Sequence, residues 1–167
     1  APVISTPSAN LTVECNGTGN ISQLNAWLAA NGGAIASDNC SDVTWTNNFT
    51  TLSDLCGNTG AATVIFTATD DCGNFSTTSA TFTIIDVTAP SITTPAADLT
   101  VECDGLGNTA QLSAWLASNG GAVASDICSN VTWTNNFEAL SDLCGNTGAA
   151  TVVFTATDDC GNFSTTS

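Results

Sequence analysis

Apolar and hydroxyl-bearing residues alternate in several short stretches of the chain, and this period of two predicts β-strands. The longest uninterrupted stretch covers residues 62–69, where Val64, Phe66 and Ala68 fall on one face. The opposite face of that stretch is rich in threonine, as expected for an exposed sheet surface. Further strands are predicted at residues 11–15, 43–46 and 76–85.

One stretch follows a helical period instead. In residues 23–30, Leu24, Trp27 and Leu28 stand at i, i+3 and i+4, and Gly32 and Gly33 follow at the C-terminal end. This pattern predicts a short amphipathic helix that ends at the glycines. Its tryptophan is predicted to be a core anchor.

The whole pattern occurs twice. Residues 11–79 align without a gap with residues 99–167, at an offset of 88, and only 12 of the 69 aligned positions differ. Such a period indicates a tandem array, in which each copy is one folded unit. We therefore predict two domains, residues 1–88 including a linker and residues 89–167.

The second copy is shorter than the first. It ends at Ser167, the counterpart of Ser79, so residues 80–87 have no counterpart in it. Because residues 80–85 alternate like a strand, we expect the second domain to be short of an edge strand. The next repeat or a neighbouring chain would then cover that edge, and we interpret the sequence as a piece of a longer protein.

Short strands, threonine-rich faces, glycine turns and one helix in each copy indicate a mainly β fold. We predict tandem immunoglobulin-like β-sandwich domains, each with one short helix in place of a connection.

The chain contains no Lys, Arg or His, against 15 Asp and Glu, and its formal charge is −15. No internal salt bridge is therefore expected, and each carboxylate must be solvated, hydrogen-bonded or bound to a metal ion. The lack of basic side chains excludes nucleic acid and anionic membranes as partners. A core is nevertheless expected, because 43% of the residues are hydrophobic and only 9% are charged.

Each copy contains four cysteines. An even number in every copy predicts two disulfides per domain and an extracellular location, while a cysteine-only zinc site is the alternative. Strand directions place the first and third cysteine of each copy at one end of the domain, and the second and fourth in loops at the other end. The expected pairs are Cys15 with Cys56, Cys40 with Cys72, Cys103 with Cys144, and Cys128 with Cys160.

Three segments carry a family resemblance: residues 66–74, residues 36–40 and the linker 85–90. They resemble the hyalin-repeat (HYR-like) immunoglobulin-related modules, in the cysteine-containing form found in tandem arrays of secreted and surface proteins of Bacteroidota. The resemblance implies an extracellular adhesion or filament module at the cell surface, without catalytic activity. The helix and the additional cysteines depart from the animal form of the repeat, so the partners of animal members are not transferred.

The carboxylates recur at matching points of the two copies. Strand directions predict that stacked copies bring acidic residues of the first domain towards acidic residues of the second, and an oxygen-rich cluster without a basic residue favours calcium. The residues expected at this junction are Glu14, Asp54, Asp86, Asp126, Asp158 and Asp159. Equivalent positions in the other copy are Asp38, Asp70, Asp71, Glu102 and Asp142. The alternative is a solvated acidic surface.

An enzyme is not expected, because the chain lacks the His and Lys that nucleophilic catalysis uses. The predicted function is a structural or adhesive module of a rigid, disulfide-stapled, calcium-stiffened surface fibre or adhesin stalk, whose partners are neighbouring repeats or copies of itself. The alternative is a secreted glycan-binding module or, less favoured, an ice-binding one, since threonines of the strands form a flat face.

Overall fold

Eleven β-strands and two α-helices form the protein in the computed structural model, which describes every residue from Ala1 to Ser167. The chain divides into two compact units, Ala1–Asp86 (unit 1) and Val87–Ser167 (unit 2). This division lies two residues before the boundary that the repeat predicts. Each unit holds one α-helix of 9 residues, and neither helix is long and apolar enough to cross a membrane.

Unit 1 contains six strands and one helix. Four strands form a sheet in the order β2-β6-β5-β4, and β1 pairs with β3 in a separate two-stranded sheet. The elements are β1 (Val3–Thr6), β2 (Leu11–Glu14), α1 (Ile21–Ala29), β3 (Ile35–Ser37), β4 (Val43–Asn47), β5 (Gly60–Asp70) and β6 (Phe75–Ile85).

The strand directions define two ends of unit 1. Strand β2 runs parallel to β6, with Glu14 opposite Ile85, whereas β5 runs antiparallel to both β4 and β6. The last residues of β2 and β6 therefore lie at one end, called here the carboxyl end. The turn from β5 to β6 and the loop from β3 to β4 lie at the other end, called the loop end.

The core of unit 1 is built from alternate residues of β5 and β6 and from one face of α1. Phe66 and Phe82 are fully buried, and the Trp27 ring lies between them, with ring centroids 5.2 Å and 5.6 Å away. Trp27 also donates a hydrogen bond from Nε1 to the Ala9 carbonyl over 3.0 Å. Its predicted role as a core anchor is confirmed, because burying the ring leaves its polar N–H paired.

The turn after α1 requires a glycine at position 32 for two reasons, a positive φ and a lack of space for a side chain. Gly32 has φ of 64°, and a Cβ at this position would lie 2.9 Å from Ser8 Cβ and 3.1 Å from Phe66 Cε2. Any larger residue would be strained by the positive φ and would push into the core. Helix α1 ends at Ala29, and the turn that follows it passes against Ser8 and Phe66 at Gly32.

Unit 2 repeats this plan with fewer strands. Its sheets have the orders β11-β10-β9 and β7-β8, so its larger sheet has three strands where that of unit 1 has four. The elements are β7 (Ser91–Thr94), α2 (Thr109–Ala117), β8 (Val123–Ser125), β9 (Val131–Asn135), β10 (Phe154–Asp158) and β11 (Phe163–Thr166).

The two units differ because unit 2 has no residues equivalent to 80–85. In unit 1 these residues pair with β2 on one side and with β5 on the other, so they lie inside the sheet. The prediction of an edge strand was wrong on this point. Without an inner strand, residues 99–102 form no strand, and β10 begins only at Phe154.

The predicted mainly β class is confirmed, and each unit carries the one short helix that was predicted. The buried face of β5 is the predicted one, with Val64, Phe66 and Ala68 all at 0% exposure. The short strands β1, β3, β7 and β8, each of three or four residues, were not predicted.

Candidate functional site: the acidic loop end and the cysteines

A positive charge lies between two carboxylates at the loop end of unit 1. The α-ammonium of Ala1 is 3.9 Å from Asp38 Oδ2 and 3.7 Å from Asp70 Oδ2. Asp38 belongs to the loop after β3, and Asp70 is the last residue of β5. The expectation of no internal salt bridge was therefore wrong, because it counted side chains and omitted the α-amino group.

Asp70 is held by the turn that follows it. Its Oδ1 accepts hydrogen bonds from the Cys72 and Asn74 backbone N–H groups over 3.0 and 2.8 Å, and its Oδ2 accepts one from Asn74 Nδ2 over 2.8 Å. The Asp70 side chain is only 5% exposed. Its Oδ2 thus accepts a hydrogen bond and faces the ammonium at the same time, so the turn leaves this oxygen accessible to a cation.

These contacts lower the pKa of Asp70 below its ordinary value of 3.8. The side-chain hydrogen bond from Asn74 is the main cause, the two backbone N–H groups and the ammonium act in the same direction, and desolvation opposes them. A group whose pKa is lowered by folding stabilises the folded state above its ordinary pKa. That contribution is lost as the pH falls through the lower folded value.

We expect Asp70→Asn to lower the melting temperature of unit 1 at pH 7. Asparagine keeps an acceptor for the backbone N–H groups but places a second amide against Asn74 Nδ2. Calorimetry should show that the difference in melting temperature between the variant and the unsubstituted protein shrinks as the pH falls below about 3.8. Asp71→Asn is the matched control, because Asp71 is exposed and lies next in the chain. A difference that is the same at pH 7 and pH 2.5 would contradict this account.

Unit 2 has the same loop end. Asp158 Oδ1 accepts hydrogen bonds from the Cys160 and Asn162 N–H groups over 2.9 and 2.8 Å, and Oδ2 accepts one from Asn162 Nδ2 over 2.8 Å. Asp126 Oδ1 accepts hydrogen bonds from the Cys128 and Ser129 N–H groups over 2.8 and 3.1 Å. Both carboxylates thus retain Oδ2 lone pairs.

Two hydrogen bonds join the two loops of this end. Asp159 Oδ2 accepts a hydrogen bond from Asn130 N–H over 3.3 Å, and Asp159 N–H donates to Ser129 Oγ over 3.2 Å. The structure therefore brings three of the predicted ligands, Asp126, Asp158 and Asp159, to one end of unit 2.

The other three predicted junction residues lie towards the carboxyl end of unit 1. Glu14 ends β2 and is exposed, Asp86 follows β6 and is buried, and Asp54 is exposed in the loop before β5. The adjacent Cys15 N–H donates to the Ile85 carbonyl over 2.7 Å, which holds the ends of β2 and β6 together.

The remaining acidic positions fall into two groups. In unit 1, Asp38, Asp70 and Asp71 belong to the loop end already described. In unit 2, Glu102 and Asp142 are exposed and lie outside any strand.

One predicted cysteine pair in each unit is in the disulfide-bonded state. Cys15 and Cys56 are disulfide-bonded in unit 1, as are Cys128 and Cys160 in unit 2. The other four cysteines are free and exposed: Cys40, Cys72, Cys103 and Cys144. The expectation of two disulfides in every domain is therefore not met.

The free cysteines of unit 2 have a physical explanation. Cys103 follows residues 99–102, which no inner strand holds, whereas Cys15 follows β2, which pairs with β6. Cys103 is accordingly exposed, and Cys15 is 6% exposed. Nothing in unit 1 explains why Cys40 and Cys72 are free.

Sequence reasoning missed the residues that support the carboxylates. The side chains of Asn74 and Asn162 donate hydrogen bonds to Asp70 and Asp158, and Ser129 Oγ accepts one from the Asp159 N–H group. The sequence signal for the two asparagines was the repeated turn Asp-Asp-Cys-Gly-Asn. An aspartate that precedes such a turn commonly accepts hydrogen bonds from N–H groups two and more residues ahead.

No family model and no curated protein matches the chain. Among solved structures, the chain is similar to the crystal structure of Drosophila N-cadherin EC1-4, with 14% identity and a TM-score of 0.38. That match covers 99% of this chain and 48% of the other, so the chain spans about half the length of that structure. The described fold itself defines the class: a mainly β protein of two similar repeats whose disulfides are compatible with an extracellular location.

Proposed function

We propose that the chain is a structural and adhesive module of an extracellular surface fibre or adhesin stalk, of the HYR-like kind found in Bacteroidota. In this proposal two near-identical domains act as spacers, disulfides staple them, and calcium stiffens them. Its partners are neighbouring repeats or copies of itself. The proposal assigns no catalytic residue.

The observation that carries the calcium part is the fixed orientation of the carboxylates at the loop end. In unit 2, Asp126 and Asp158 are each fixed through Oδ1 by backbone N–H groups. In unit 1, Asp70 Oδ1 accepts hydrogen bonds from the Cys72 and Asn74 N–H groups in the same way. Carboxylates oriented in this way need little reorganisation to bind a metal ion.

The donor set fits calcium better than other metals. Calcium takes six to eight oxygen ligands, and the loop end offers carboxylates, backbone carbonyls and hydroxyls, without any histidine. Asp126, Asp158 and Asp159 would hold the ion, which would neutralise part of the −15 charge of the chain. The contribution of Glu14, Asp54 and Asp86 to the same ion stays a prediction.

The bonded cysteines support the extracellular location. Disulfides persist in oxidising surroundings, and Cys15, Cys56, Cys128 and Cys160 are all disulfide-bonded. An extracellular site would also supply calcium at the concentrations that weak extracellular modules need, roughly 10⁻⁴ to 10⁻³ M.

Calcium titration of the whole chain by isothermal calorimetry tests the proposal. We expect saturable binding with a Kd of roughly 10⁻⁴ to 10⁻³ M. Asp126→Asn should weaken it about tenfold or more, because asparagine keeps the hydrogen bonds to Cys128 and Ser129 but removes the charge. The control is Glu138→Gln, which removes an exposed carboxylate outside the predicted set. Equal binding by both variants, or no binding at 10 mM calcium, would contradict the proposal.

The glycan-binding and ice-binding alternatives depend on the threonine face alone. Thr63 and Thr81 lie opposite each other on β5 and β6, and their hydroxyls are 2.9 Å apart. Cross-strand threonine pairs of this kind are ordinary stabilising contacts on exposed sheets. The structural module is therefore the function that we propose.

A further inference from the structure

Asn16 and Gly17 lie in the loop between β2 and α1, called here the β2–α1 loop (residues 15–20). The side chain of Asn20 fastens this loop. Its Oδ1 accepts a hydrogen bond from the Asn16 N–H over 3.2 Å, and its Nδ2 donates to the Glu14 carbonyl over 2.8 Å. Asn20 is 0% exposed, so the β2–α1 loop is anchored in the fold.

Three donors converge on the amide oxygen of Asn16. Asn16 Oδ1 accepts hydrogen bonds from the Thr18 N–H over 3.0 Å, from Thr18 Oγ1 over 2.9 Å, and from the Asn20 N–H over 3.1 Å. Donors on a carbonyl oxygen stabilise the negative charge that this oxygen carries once a nucleophile has added to the carbonyl carbon. The β2–α1 loop therefore activates the Asn16 amide carbon towards addition.

The backbone nitrogen of Gly17 is the nucleophile nearest to that carbon along the chain. Because Oδ1 reaches the N–H of residue 18, the Asn16 side chain curls back over its own peptide bond to Gly17. Gly17 has φ of 75° and no side chain to obstruct ring closure. Its N–H donates only to Cys15 Sγ, over 3.5 Å, and Asn16 is exposed to water.

Unit 2 shows that the same loop holds a carboxylate at this position. The counterpart of Asn16 is Asp104, whose Oδ1 accepts hydrogen bonds from the Leu106 and Asn108 N–H groups over 2.8 and 3.0 Å. The Leu106 N–H and then the Asn108 N–H lower the pKa of Asp104 below its ordinary value of 3.8. An aspartate at position 16 would meet the same backbone donors, so the loop would accommodate it as an anion.

We propose that the β2–α1 loop is a self-modification site at which Asn16 deamidates. The Gly17 nitrogen gives its proton to hydroxide and bonds to the Asn16 amide carbon, and the bond from that carbon to Nδ2 breaks, so that ammonia leaves. Water then opens the cyclic imide, at the side-chain carbonyl to give aspartate or at the backbone carbonyl to give isoaspartate. In sum, one amide and one water become one carboxylic acid and one ammonia.

This inference goes beyond the proposed function, because no step uses calcium, a partner or a cofactor. The reaction adds one negative charge to the formal −15 of the chain. The new charge lies at the carboxyl end of unit 1, two residues after Glu14. Deamidation would thus give unit 1 the carboxylate that the sequence of unit 2 already contains.

Two further Asn-Gly pairs provide a comparison within the same chain. They are residues 31–32 and 119–120, in the turns after the two helices. Each glycine is buried, and its carbonyl accepts a hydrogen bond over 2.9 Å, from the Ala9 N–H in unit 1 and the Ala97 N–H in unit 2. No hydrogen bond reaches the amide oxygen of either asparagine. Both pairs should therefore react more slowly than Asn16.

Peptide mapping by mass spectrometry tests this after incubation of the folded chain in mildly alkaline buffer. Pepsin digestion at acid pH stops the reaction and suits a chain without Lys and Arg. We expect Asn16 to deamidate about tenfold or more faster than residues 31 and 119, because those lack donors to the developing oxyanion. The rate at Asn16 should rise with pH, since the Gly17 nitrogen must lose its proton.

Variants of Thr18 separate activation by the loop from simple exposure. Thr18→Val removes the Oγ1 donor at nearly constant shape and should slow the reaction at Asn16 several-fold, whereas Thr18→Ser restores a hydroxyl and should restore the rate. The control is Thr12→Val, which removes an exposed hydroxyl of β2 that contacts no amide oxygen. In urea the three Asn-Gly pairs should react at similar rates.

Three results would overturn the proposal. The first is equal deamidation of the three asparagines in the folded chain. The second is a rate at Asn16 that is lower in the folded chain than in urea, which would mean that the loop protects the amide. The third is an unchanged rate in Thr18→Val, or a loss in Thr18→Val that Thr18→Ser does not reverse. Calcium binding and stiffening are measured separately, so the failure of either idea leaves the other standing.

Discussion

Phe82→Ala is expected to lower the free energy of unfolding of unit 1 by about 3–5 kcal/mol, the usual cost of truncating a fully buried phenylalanine. Phe82 is 0% exposed and packs against Trp27 on the inner strand of the sheet. Its removal leaves a cavity between β6 and α1 that neither element can close, because each is held by hydrogen bonds to its neighbours.

Denaturant unfolding followed by hydrogen exchange measures this effect unit by unit. The matched control is Phe75→Ala, which removes the same side chain from the same strand at a position that is 64% exposed. We expect a change within about 0.5 kcal/mol for that control. Unit 2 should unfold at an unchanged midpoint in both variants. A loss below 1 kcal/mol for Phe82→Ala would mean that β6 is not the inner strand of the fold.

Removal of a disulfide is expected to cause the second large loss in the free energy of unfolding. Closing the loop between Cys15 and Cys56, or between Cys128 and Cys160, restricts the unfolded chain and contributes about 3–4 kcal/mol per bond. Replacing both cysteines of one pair by serine should therefore lower the free energy of unfolding of that unit by this amount.

The pairing itself is tested by peptide mapping without reduction. Two of the four predicted pairs have both members in the bonded state, and the other two have both members free. The expected links are therefore Cys15–Cys56 and Cys128–Cys160. A link between Cys15 and Cys40 would contradict the pairing and the strand order from which it was predicted.

The long elements were predictable because their pattern is strong. Strand β5 has 11 residues, and its alternation identifies the buried face, while the spacing of Leu24 and Trp27 identifies the buried face of α1. The short strands were not predictable, because β1 and β3 have only four and three residues and are mostly exposed. So few residues establish no period.

The acidic loop end was predictable only in outline. Strand directions bring Asp38 and Asp70, or Asp126 and Asp158, to one end of a unit. They do not reveal that Asn74 and Asn162 orient the second carboxylate of each pair. The inner position of β6 was likewise not predictable, because it depends on the parallel pairing of β2 with β6. Parallel pairing between segments about 70 residues apart leaves no local signal in the sequence.

The central claim is that calcium stiffens the array through its carboxylates. Small-angle scattering and thermal melts of the two-unit chain, each with calcium and with chelator, test it most directly. We predict a larger maximum dimension and a higher melting temperature with calcium, because without the ion the carboxylates repel one another across the short linker, and the array bends and unfolds more easily. Asp86→Asn should reduce both differences. If scattering and melting are the same with calcium and with chelator, and Asp86→Asn changes neither, the carboxylates are surface charge only and the claim is wrong.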